Sequence, residues 1–236
     1  MLTMKISLVL PATNEARSLL KNVKKIEAMM RKLRCGYEII IAEDGSTDGT
    51  DKIAASLASR NKTIVHLHSD KRKGKGKAIK DAFKVANGDT LSFMDADLSA
   101  DINYFPKLIE AIKNGADIAI GSRHLPESKV QRSFKRAFLS RGFNLLVQLM
   151  FNPGIKDLQC GFKGFRKKTL PVLLSAKNNG FLWDTEVLLL AKKKRFKIVE
   201  VPIMWKEGKK SSLNLLKIPA KMFYSLIKLK MRVTPK

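Results

Sequence analysis

The stretch Thr90-Leu91-Ser92-Phe93-Met94-Asp95-Ala96-Asp97-Leu98-Ser99 decides the fold and the chemistry that we predict for this chain. Its apolar residues predict a short buried strand, and two carboxylates follow it at once. In an open α/β sheet, ligands bind in the crevice at the carboxyl ends of the strands, so Asp95 and Asp97 are expected to face a crevice. In extended chain the two side chains point the same way, and two like charges held that closely favour a bound cation.

Asp95 and Asp97 therefore indicate a divalent-metal site for a nucleotide diphosphate. Mg²⁺ and Mn²⁺ take oxygen ligands, and proteins commonly bind them through one or two carboxylates together with substrate phosphates. A structural alternative is that Asp97 or Ser99 only caps a helix that starts near Asp101.

Length and composition predict one large α/β domain with a full core, since the chain has 236 residues and is 44% hydrophobic. Cys35 and Cys160 lie far apart without a metal-ligand spacing, so we expect reduced thiols and an intracellular protein. The longest nearly unbroken apolar run, 143–151, is too short for a bilayer span, which needs about 20 residues. The first residues lead into a predicted strand with no signal-peptide pattern.

The formal net charge of +25 is unevenly distributed. Residues 1–123 carry 21 lysine and arginine residues against 15 acidic ones, whereas residues 124–236 carry 25 against 6. The second half therefore favours an anionic partner, such as nucleic acid, anionic lipid or a phosphate substrate. A solvated basic face without a partner would explain part of the same excess.

Predicted strands and helices alternate regularly in the first half of the chain. Strands are expected at 5–10, 37–42, 63–68, 90–94 and 117–121. Helices are expected at 18–33, 78–86 and 101–114, and a further helix follows the turn at 43–50 and ends near Ser59. This alternation predicts a mostly parallel sheet flanked by helices. Beyond residue 123 we predict a mobile loop at 125–131, a helix at 134–151, a polar turn at 157–163, a helix at 181–194, a strand at 198–205 and a basic amphipathic stretch at 213–233.

Polar clusters fall at the carboxyl ends of the predicted strands, namely Asn14-Glu15, Glu43-Asp44, Asp95-x-Asp97 and Arg123. The first strand is followed by PATNE and not by a G-x-G-x-x-G loop, which disfavours a Rossmann dehydrogenase. No Walker loop is present in the sequence either.

Together these motifs resemble the family 2 inverting glycosyltransferases, which have the GT-A-type nucleotide-sugar-binding fold. The resemblance rests on LVLPATNE (8–15), AEDGSTDGT (42–50), GKGKA (74–78), MDADLS (94–99) and GSR (121–123). IKDLQCGFKGF (155–165), FLWDTEVL (181–188) and VPIMWKEGKKSS (201–212) are similar to the dolichyl-phosphate glucosyl and mannosyl synthases. The resemblance implies a single domain, 1–236, with a nucleotide-binding half (1–123) and an acceptor- and membrane-facing half (124–236).

The resemblance also implies roles for single residues. The nucleotide-sugar-binding set would be Pro11, Thr13, Glu15, Ala42, Asp44, Asp95, Ala96, Arg123, Lys209, Lys210 and Ser211. Asp97, with Asp95 and Ser99, would hold Mg²⁺ or Mn²⁺, although capping is an equal alternative for Ser99. Glu15 has an alternative as a helix N-terminal charge, and Asp44 as a turn former before Gly45.

The implied catalytic set is Asp97, Arg123, Asp184 and Glu186. Arg123 would neutralise a diphosphate or acceptor phosphate, for which a planar guanidinium is suited. Asp184 and Glu186 would orient the sugar or bind the Lys209–Lys210 loop, or they are simply acids in the first turn of a helix. Glu207 stands where mannosyl members often have arginine, which leaves the identity of the transferred sugar open.

The implied reaction is metal-dependent, inverting transfer of a hexose from UDP-glucose or GDP-mannose to a polyprenyl (dolichyl) phosphate. A phosphate acceptor is ionised near neutral pH and needs no general base. A saccharide or protein acceptor is the first alternative. A basic nucleic-acid-binding protein is the second, although the sequence has no zinc or RNA-binding motif.

Two basic stretches predict where the protein works. Apolar residues at 134, 138, 145, 146, 149 and 150 form one helix face beside Lys135, Arg136 and Arg141. Residues 218, 222, 223, 226, 227 and 229 form another, flanked by Lys217, Lys221, Lys228 and Lys230. Such helices lie on anionic membranes, so we expect a cytoplasmic protein bound peripherally to the cytoplasmic leaflet. The alternative is that both faces pack on the sheet, and the oligomeric state stays open.

Overall fold

The computed structural model describes residues 4–208 and 218–233. The first half of this part is a regular alternation of strands and helices, as predicted. Its elements are β1 (Lys5–Ala12), α1 (Leu19–Lys32), β2 (Gly36–Glu43), α2 (Thr50–Arg60), β3 (Ile64–Leu67), α3 (Lys75–Val85), β4 (Thr90–Met94), α4 (Phe105–Lys113) and β5 (Ile118–Ser122). A short 3₁₀ turn, Ile102–Tyr104, precedes α4.

The second half of the chain is less regular. Its elements are β6 (Lys129–Gln131), α5 (Phe134–Phe151), β7 (Phe162–Arg166), α6 (Leu170–Ser175), α7 (Trp183–Lys193), β8 (Ile198–Pro202), β9 (Met204–Lys206) and α8 (Ile218–Val233). A 3₁₀ turn, Lys167–Thr169, leads into α6. No helix in the described residues is long and apolar enough to cross a bilayer.

The main sheet has seven strands in the order β3-β2-β1-β4-β7-β5-β8. Every neighbouring pair is parallel except the two pairs that β7 makes with β4 and β5, which are antiparallel. The predicted mostly parallel sheet flanked by helices is thus confirmed. Because β1, β2 and β4 are adjacent and parallel, their carboxyl ends meet at one edge of the sheet.

Both faces of the sheet are covered. Along β1, Leu8 and Leu10 pack toward α1 and α4, whereas Val9 packs on the opposite face with residues of α3 and α7. On that second face Phe83, Phe93, Phe165 and Trp183 form an aromatic cluster with ring centroids 5.7–6.4 Å apart. Such pairs add about 0.5–1.5 kcal/mol each beyond the area that they bury.

The structure differs from the sequence prediction in three places. The predicted turn at 157–163 ends inside β7, because Phe162 and Lys163 already pair with Met94 and Phe93. The predicted loop at 125–131 contains β6, which pairs with β9 in a separate two-stranded sheet. The predicted strand at 198–205 is therefore two strands, since the chain leaves the main sheet after Pro202 to make that pairing.

The last helix, α8, corrects part of the predicted membrane face. Leu226 and Leu229 are fully buried in the core. At these two positions the alternative, that the apolar face packs inside the protein, is therefore right. Ile227 and Met231 are exposed at 39% and 71%. The side chains predicted at 217, 218 and 221–223 lie outside the described part of the chain.

A buried polar network joins β1 to β2 and to the turn before β4. The Ser7 hydroxyl donates to Glu38 Oε1 at 2.5 Å and accepts a hydrogen bond from the backbone amide of Gly88 at 2.7 Å. The amide of Asn87 donates to the same carboxylate at 2.7 Å. Ser7 therefore satisfies two buried groups at once.

We predict that Ser7→Ala lowers the free energy of unfolding by about 1–3 kcal/mol, because it leaves the Gly88 amide buried without its partner. Urea unfolding followed by circular dichroism measures this. Ser59→Ala on the exposed end of α2 is the control and should stay within about 0.5 kcal/mol of wild type. Equal stability of both variants would contradict the network.

Candidate active site

The ends of β1 and β2 are tied together by hydrogen bonds. The amide of Asp44 donates to Ala12 O at 3.0 Å, and the Thr13 hydroxyl donates to Asp44 O at 3.2 Å. Asp95 follows directly on β4, the other neighbour of β1. The predicted polar residues of three strand ends are thus brought to one edge of the sheet.

Glu15 lies in the field of the two aspartates after β4. Burial raises the pKa of its carboxyl group, and the negative charges of Asp97, Asp48 and Asp95 raise it further, against the lowering effect of a hydrogen bond from Ser18. This convergence of carboxylates favours a cation at the strand ends. Glu15 lies before the first turn of α1, and its carboxylate accepts a hydrogen bond from the hydroxyl of the N-cap residue Ser18 at 2.7 Å, so its alternative role as a charge near the helix N-terminus stays open.

Asp97 is exposed, and its described hydrogen bonds are local, although its carboxylate also lies close to Gly208. Its carboxylate accepts hydrogen bonds from the amide and the hydroxyl of Ser99, at 2.9 and 2.7 Å. The capping alternative for both residues is wrong, because Asp101 itself accepts the hydrogen bond from Asn103 that caps the following turn. An exposed carboxylate and a neighbouring hydroxyl are hard oxygen donors, so Asp97 and Ser99 fit Mg²⁺ or Mn²⁺.

Asp95 has different partners from Asp97. Strand β4 ends at Met94, and the chain turns directly after it. Its carboxylate lies 2.7 Å from Lys75 Nζ and packs against the Cα of Gly161. A Cβ atom at position 161 would lie 1.9 Å from Asp95 Oδ2, so glycine is required there. The chain after Met94 is therefore a turn, in which the amide of Leu98 donates to Asp95 O at 3.0 Å, and not the extended segment that the sequence predicts.

Lys75 joins Asp95 to α7. Its ammonium group is also 3.7 Å from Asp184 Oδ2, while Asp184 Oδ1 accepts a hydrogen bond from Lys163 Nζ at 2.6 Å. Burial alone would lower the pKa of Lys75, but Asp95 and Asp184 outweigh it and raise the pKa above its ordinary value. We name this set, Asp95, Lys75, Asp184 and Lys163, the charge chain.

Asp184 and Glu186 thus have different surroundings. Asp184 reaches the predicted site through Lys75, whereas Glu186 accepts hydrogen bonds from the amides of Lys177 and Asn178 at 3.1 and 2.8 Å. Glu186 also pairs with Arg232 of α8 at 3.3 Å. These partners give Glu186 a structural role, and its position does not support a catalytic one.

Asp44 holds the basic glycine loop. Its two carboxylate oxygens accept hydrogen bonds from the amides of Lys73 and Gly74, at 2.6 and 2.8 Å. Gly74 has a φ of +104°, a conformation that favours glycine. Asp44 is therefore more than a local turn former, and a small cavity of about 50 Å³ lies beside it.

Arg123 is held by Asp157 in a forked pair. Nε and Nη2 of Arg123 donate to the two carboxylate oxygens of Asp157, at 2.7 and 2.8 Å. Burial would raise the pKa of Asp157, but the adjacent guanidinium outweighs it and holds that pKa well below its usual range. The guanidinium also lies 5.6 Å from the centre of the Trp205 ring. Arg123 is therefore rigidly placed.

A cavity of about 440 Å³ opens beside Arg123. It is lined by Arg123, His124, Leu125, Ser128, Val130, Arg132, Ala137 and Arg141. Burial lowers the pKa of His124, and the arginines at 123, 132 and 141 lower it further, against the effect of Asp157. We call this space the arginine cavity. The positive charges of its arginines favour the binding of an anion.

Pro11 and Ala42 are the next-to-last residues of β1 and β2, and the carbonyl of buried Ala96 accepts a hydrogen bond from the side-chain amide of Asn22 at 2.8 Å. Lys209, Lys210 and Ser211 lie outside the described residues. Glu207 accepts a hydrogen bond from the amide of Ser133 at 2.7 Å, which ties the segment after β9 to the start of α5.

Five residues that shape this site are not among the predicted site residues, namely Lys75, Asp157, Lys163, Arg132 and Arg141. Arg141 is predicted only as a basic residue beside the apolar face of the helix at 134–151. Lys75, Asp157 and Lys163 lie inside two motifs that carry the family resemblance, GKGKA and IKDLQCGFKGF. Their charged neighbours are remote in sequence, so spacing carries no signal for the pairs. Phe162 and Phe165 pack on opposite faces of β7 and Lys163 between them is fully buried, so this strand lacks the apolar and polar alternation that would predict it.

Residues 7–174 match the family Glycosyl transferase family 2. The chain is 38% identical over 216 residues to glycosyltransferase AglD of Haloferax volcanii, covering 90% of this chain and 35% of AglD. It is 36% identical over 200 residues to a dolichol-phosphate mannosyltransferase of Pyrococcus furiosus, covering 84% and 56%. The chain thus spans between one third and a little over half of these two relatives.

A dolichyl-phosphate beta-glucosyltransferase of Saccharomyces cerevisiae is 33% identical over 247 residues, covering 96% of this chain and 74% of the yeast protein. Among solved structures, the fold is similar to that of glucosyl-3-phosphoglycerate synthase from Mycobacterium tuberculosis in complex with Mn²⁺, uridine diphosphate and glucosyl-3-phosphoglycerate. The TM-score is 0.72 at 19% identity, covering 99% of this chain and 82% of that one. The chain therefore has the GT-A-type fold and belongs to glycosyltransferase family 2.

Proposed function

We propose that this protein transfers a hexose from a nucleotide sugar to a polyprenyl phosphate at a membrane surface, with inversion at the anomeric carbon. The observation that carries the proposal is the position of the arginine cavity beside an exposed apolar stripe on α5. An acceptor with an anionic head and an apolar tail would find both chemistries next to each other. The mannosyl and glucosyl relatives are named for transfer to dolichyl phosphate, which supports the same acceptor class.

The apolar stripe runs along one side of α5. Phe134, Phe138, Leu145 and Leu149 are exposed at 86%, 72%, 59% and 74%. Their spacing of four, seven and four residues places them on one helix face, and Arg141 falls between them on that face. Arg141 and Ala137 also line the arginine cavity. A lipid phosphate in the cavity would therefore leave its chain against the stripe.

The transfer step does not require a general base or a general acid from the protein. An ionised phosphate oxygen attacks the anomeric carbon, the bond from that carbon to the donor diphosphate breaks, and a nucleoside diphosphate leaves. No proton has to move, because a phosphate monoester is already ionised near neutral pH. The residues described here would position the two anions and exclude water from the reacting carbon.

Each part of the site has a place in this scheme. Thr13, Glu15 and Asp44 would surround the nucleoside, and Lys75, which pairs with Asp95, would hold that carboxylate in position. Arg123, fixed by Asp157, would bind the acceptor phosphate with Arg132. Asp97 and Ser99 would hold Mg²⁺ or Mn²⁺, which when bound would offset the charge of the leaving diphosphate.

The direct test is a transfer assay with the purified protein. UDP-glucose and GDP-mannose would each be offered with a polyprenyl phosphate in detergent or vesicles. We expect a polyprenyl-phosphate hexose from one donor, which also settles the sugar. Transfer to a saccharide or protein and not to the lipid would favour the first alternative, and tight nucleic-acid binding without turnover would favour the second.

We predict that Asp97→Ala abolishes transfer and leaves the fold intact, because its described hydrogen bonds are with Ser99 alone and its carboxylate is exposed. The assay above measures turnover, and thermal unfolding measures the fold. Omitting the divalent cation from wild type should reproduce the loss. An active variant, or full turnover without divalent metal, would refute the metal role of Asp97.

We predict that Arg123→Lys lowers kcat/KM at least tenfold, which is about 1.4 kcal/mol of transition-state stabilisation. A lysine cannot make the forked pair with Asp157 and face the cavity at the same time. Arg141→Lys is the matched control, because its exposed side chain contributes charge to the cavity, and its loss should be clearly smaller. Unchanged kinetics in Arg123→Lys would show that the fork has no part in transfer.

We predict peripheral binding to anionic membranes, which we assign to the cytoplasmic leaflet because anionic lipids concentrate there. Co-sedimentation with vesicles that contain phosphatidylserine measures the binding, which salt should weaken. The double variant Phe134→Ser/Phe138→Ser should reduce it strongly, since each buried phenylalanine contributes about 1.5–3 kcal/mol. Leu20→Ser, exposed at 47% on α1, is the control. Equal binding of all three proteins would place the membrane face elsewhere.

A further inference from the structure

A second cluster of possible ligands lies at the edge of the sheet, apart from Asp97. Glu43, at the end of β2, lies beside His66 and His68 on the neighbouring strand β3 and just after it. One ligand atom from each of the three residues lies within 4.8 Å of the other two. Among the described residues, this is the one set of three histidine, cysteine or carboxylate groups that meets this spacing.

The strand register explains why the three side chains meet. Ile41 is opposite His66 and Ala42 is opposite Leu67 in the parallel pairing of β2 with β3. Side chains two residues apart on a strand share a face, so His66 and His68 point to the same side as Glu43. The cluster therefore follows from the pairing of two strands and needs no unusual backbone.

One buried polar atom of this cluster lacks a partner, and it lies close to a buried carboxylate. The Glu43 side chain is fully buried, and its Oε2 lies 2.6 Å from Nδ1 of His68. Nε2 of His66 is buried and has no hydrogen-bond partner in the described structure. A buried nitrogen lone pair or N–H without a partner is costly, and a metal ion that accepts the lone pair would remove that cost.

The outer contacts are those that a metal site requires. The amide of Ser46 donates to Glu43 Oε1 at 2.5 Å, which fixes the carboxylate. Nε2 of His68 lies 3.1 Å from Asp70 Oδ1, so a His68 bound to a metal through Nδ1 would donate its other N–H to a carboxylate. Metal-binding histidines nearly always have such a second partner, and it orients the ring.

We propose that Glu43, His66 and His68 form a binding site for a transition-metal ion of the Zn²⁺ class, separate from the Asp97 site. Two imidazoles and one carboxylate suit Zn²⁺ or Co²⁺ better than Mg²⁺ or Mn²⁺. Bonds of about 2.0–2.1 Å in a tetrahedron bring ligand atoms to about 3.4 Å apart, so small side-chain rotations would close the site. Water would take the fourth position.

The test is a titration with Zn²⁺, and with Co²⁺ for its visible absorption, in excess Mg²⁺ that occupies oxygen sites. We expect one tightly bound ion in wild type and also in Asp97→Ala, which separates this site from the proposed active site. His66→Leu and His68→Gln should each weaken binding more than tenfold. Asp70→Asn should weaken it about 10–100-fold, the usual cost of losing such an outer partner.

The chain has three histidines, and the third provides the control. His124→Gln should bind Zn²⁺ as wild type does, because His124 lies at the arginine cavity. His68 is 45% exposed, so His68→Gln carries the test if His66→Leu fails to fold. Binding that is unchanged in His68→Gln, or lost in Asp97→Ala, would overturn the proposal, as would wild type that binds no Zn²⁺.

Discussion

The described site depends on one electrostatic constraint, the pairing of buried charges in the charge chain. Lys163 and Asp184 have side-chain exposures of 1% and 3%, and Lys75 has 14%. A buried ion costs several kcal/mol unless partners surround it, so none of these groups is tolerable alone. Two ammonium groups alternate with two carboxylates, and the ring of Phe93 lies 5.2 and 5.4 Å from the two ammonium groups.

This constraint fixes four parts of the chain relative to one another. Asp95 belongs to the turn after β4, Lys75 begins α3, Asp184 lies in the first turn of α7, and Lys163 is in β7. The glycine loop is fixed a second time, because Asp44 binds the amides that precede Lys75. Glycines permit these contacts: a Cβ at Gly161 would enter the Asp95 carboxylate, and one at Gly76 would lie 2.4 Å from Trp183.

The features that could be predicted from the sequence are those whose signal lies in a short, local stretch of chain. Alternating apolar runs predicted nearly all of the first half, and the polar residues after β1, β2 and β4 followed from the parallel order. Strand β7 was missed because an antiparallel strand that joins two parallel parts has no local pattern of its own, and because Lys163 looks like a turn residue. Pairs such as Arg123–Asp157 and Lys75–Asp95 are separated by 20 residues or more, so no spacing rule finds them. Glu186 is the opposite case. It lies in a motif that predicts a site residue, but its carboxylate binds the amides of Lys177 and Asn178 and pairs with Arg232 of α8.

The most direct measurement is the free energy of unfolding of Lys163→Met and of the double variant Lys163→Met/Asp184→Leu. Removing one partner of a buried pair costs about 3–5 kcal/mol, whereas replacing both partners with apolar residues recovers much of that loss. The account therefore predicts a large loss in the single variant and a substantial recovery in the double variant. A single variant as stable as wild type, or a double variant less stable than the single, would contradict the charge chain as the constraint on which the site depends.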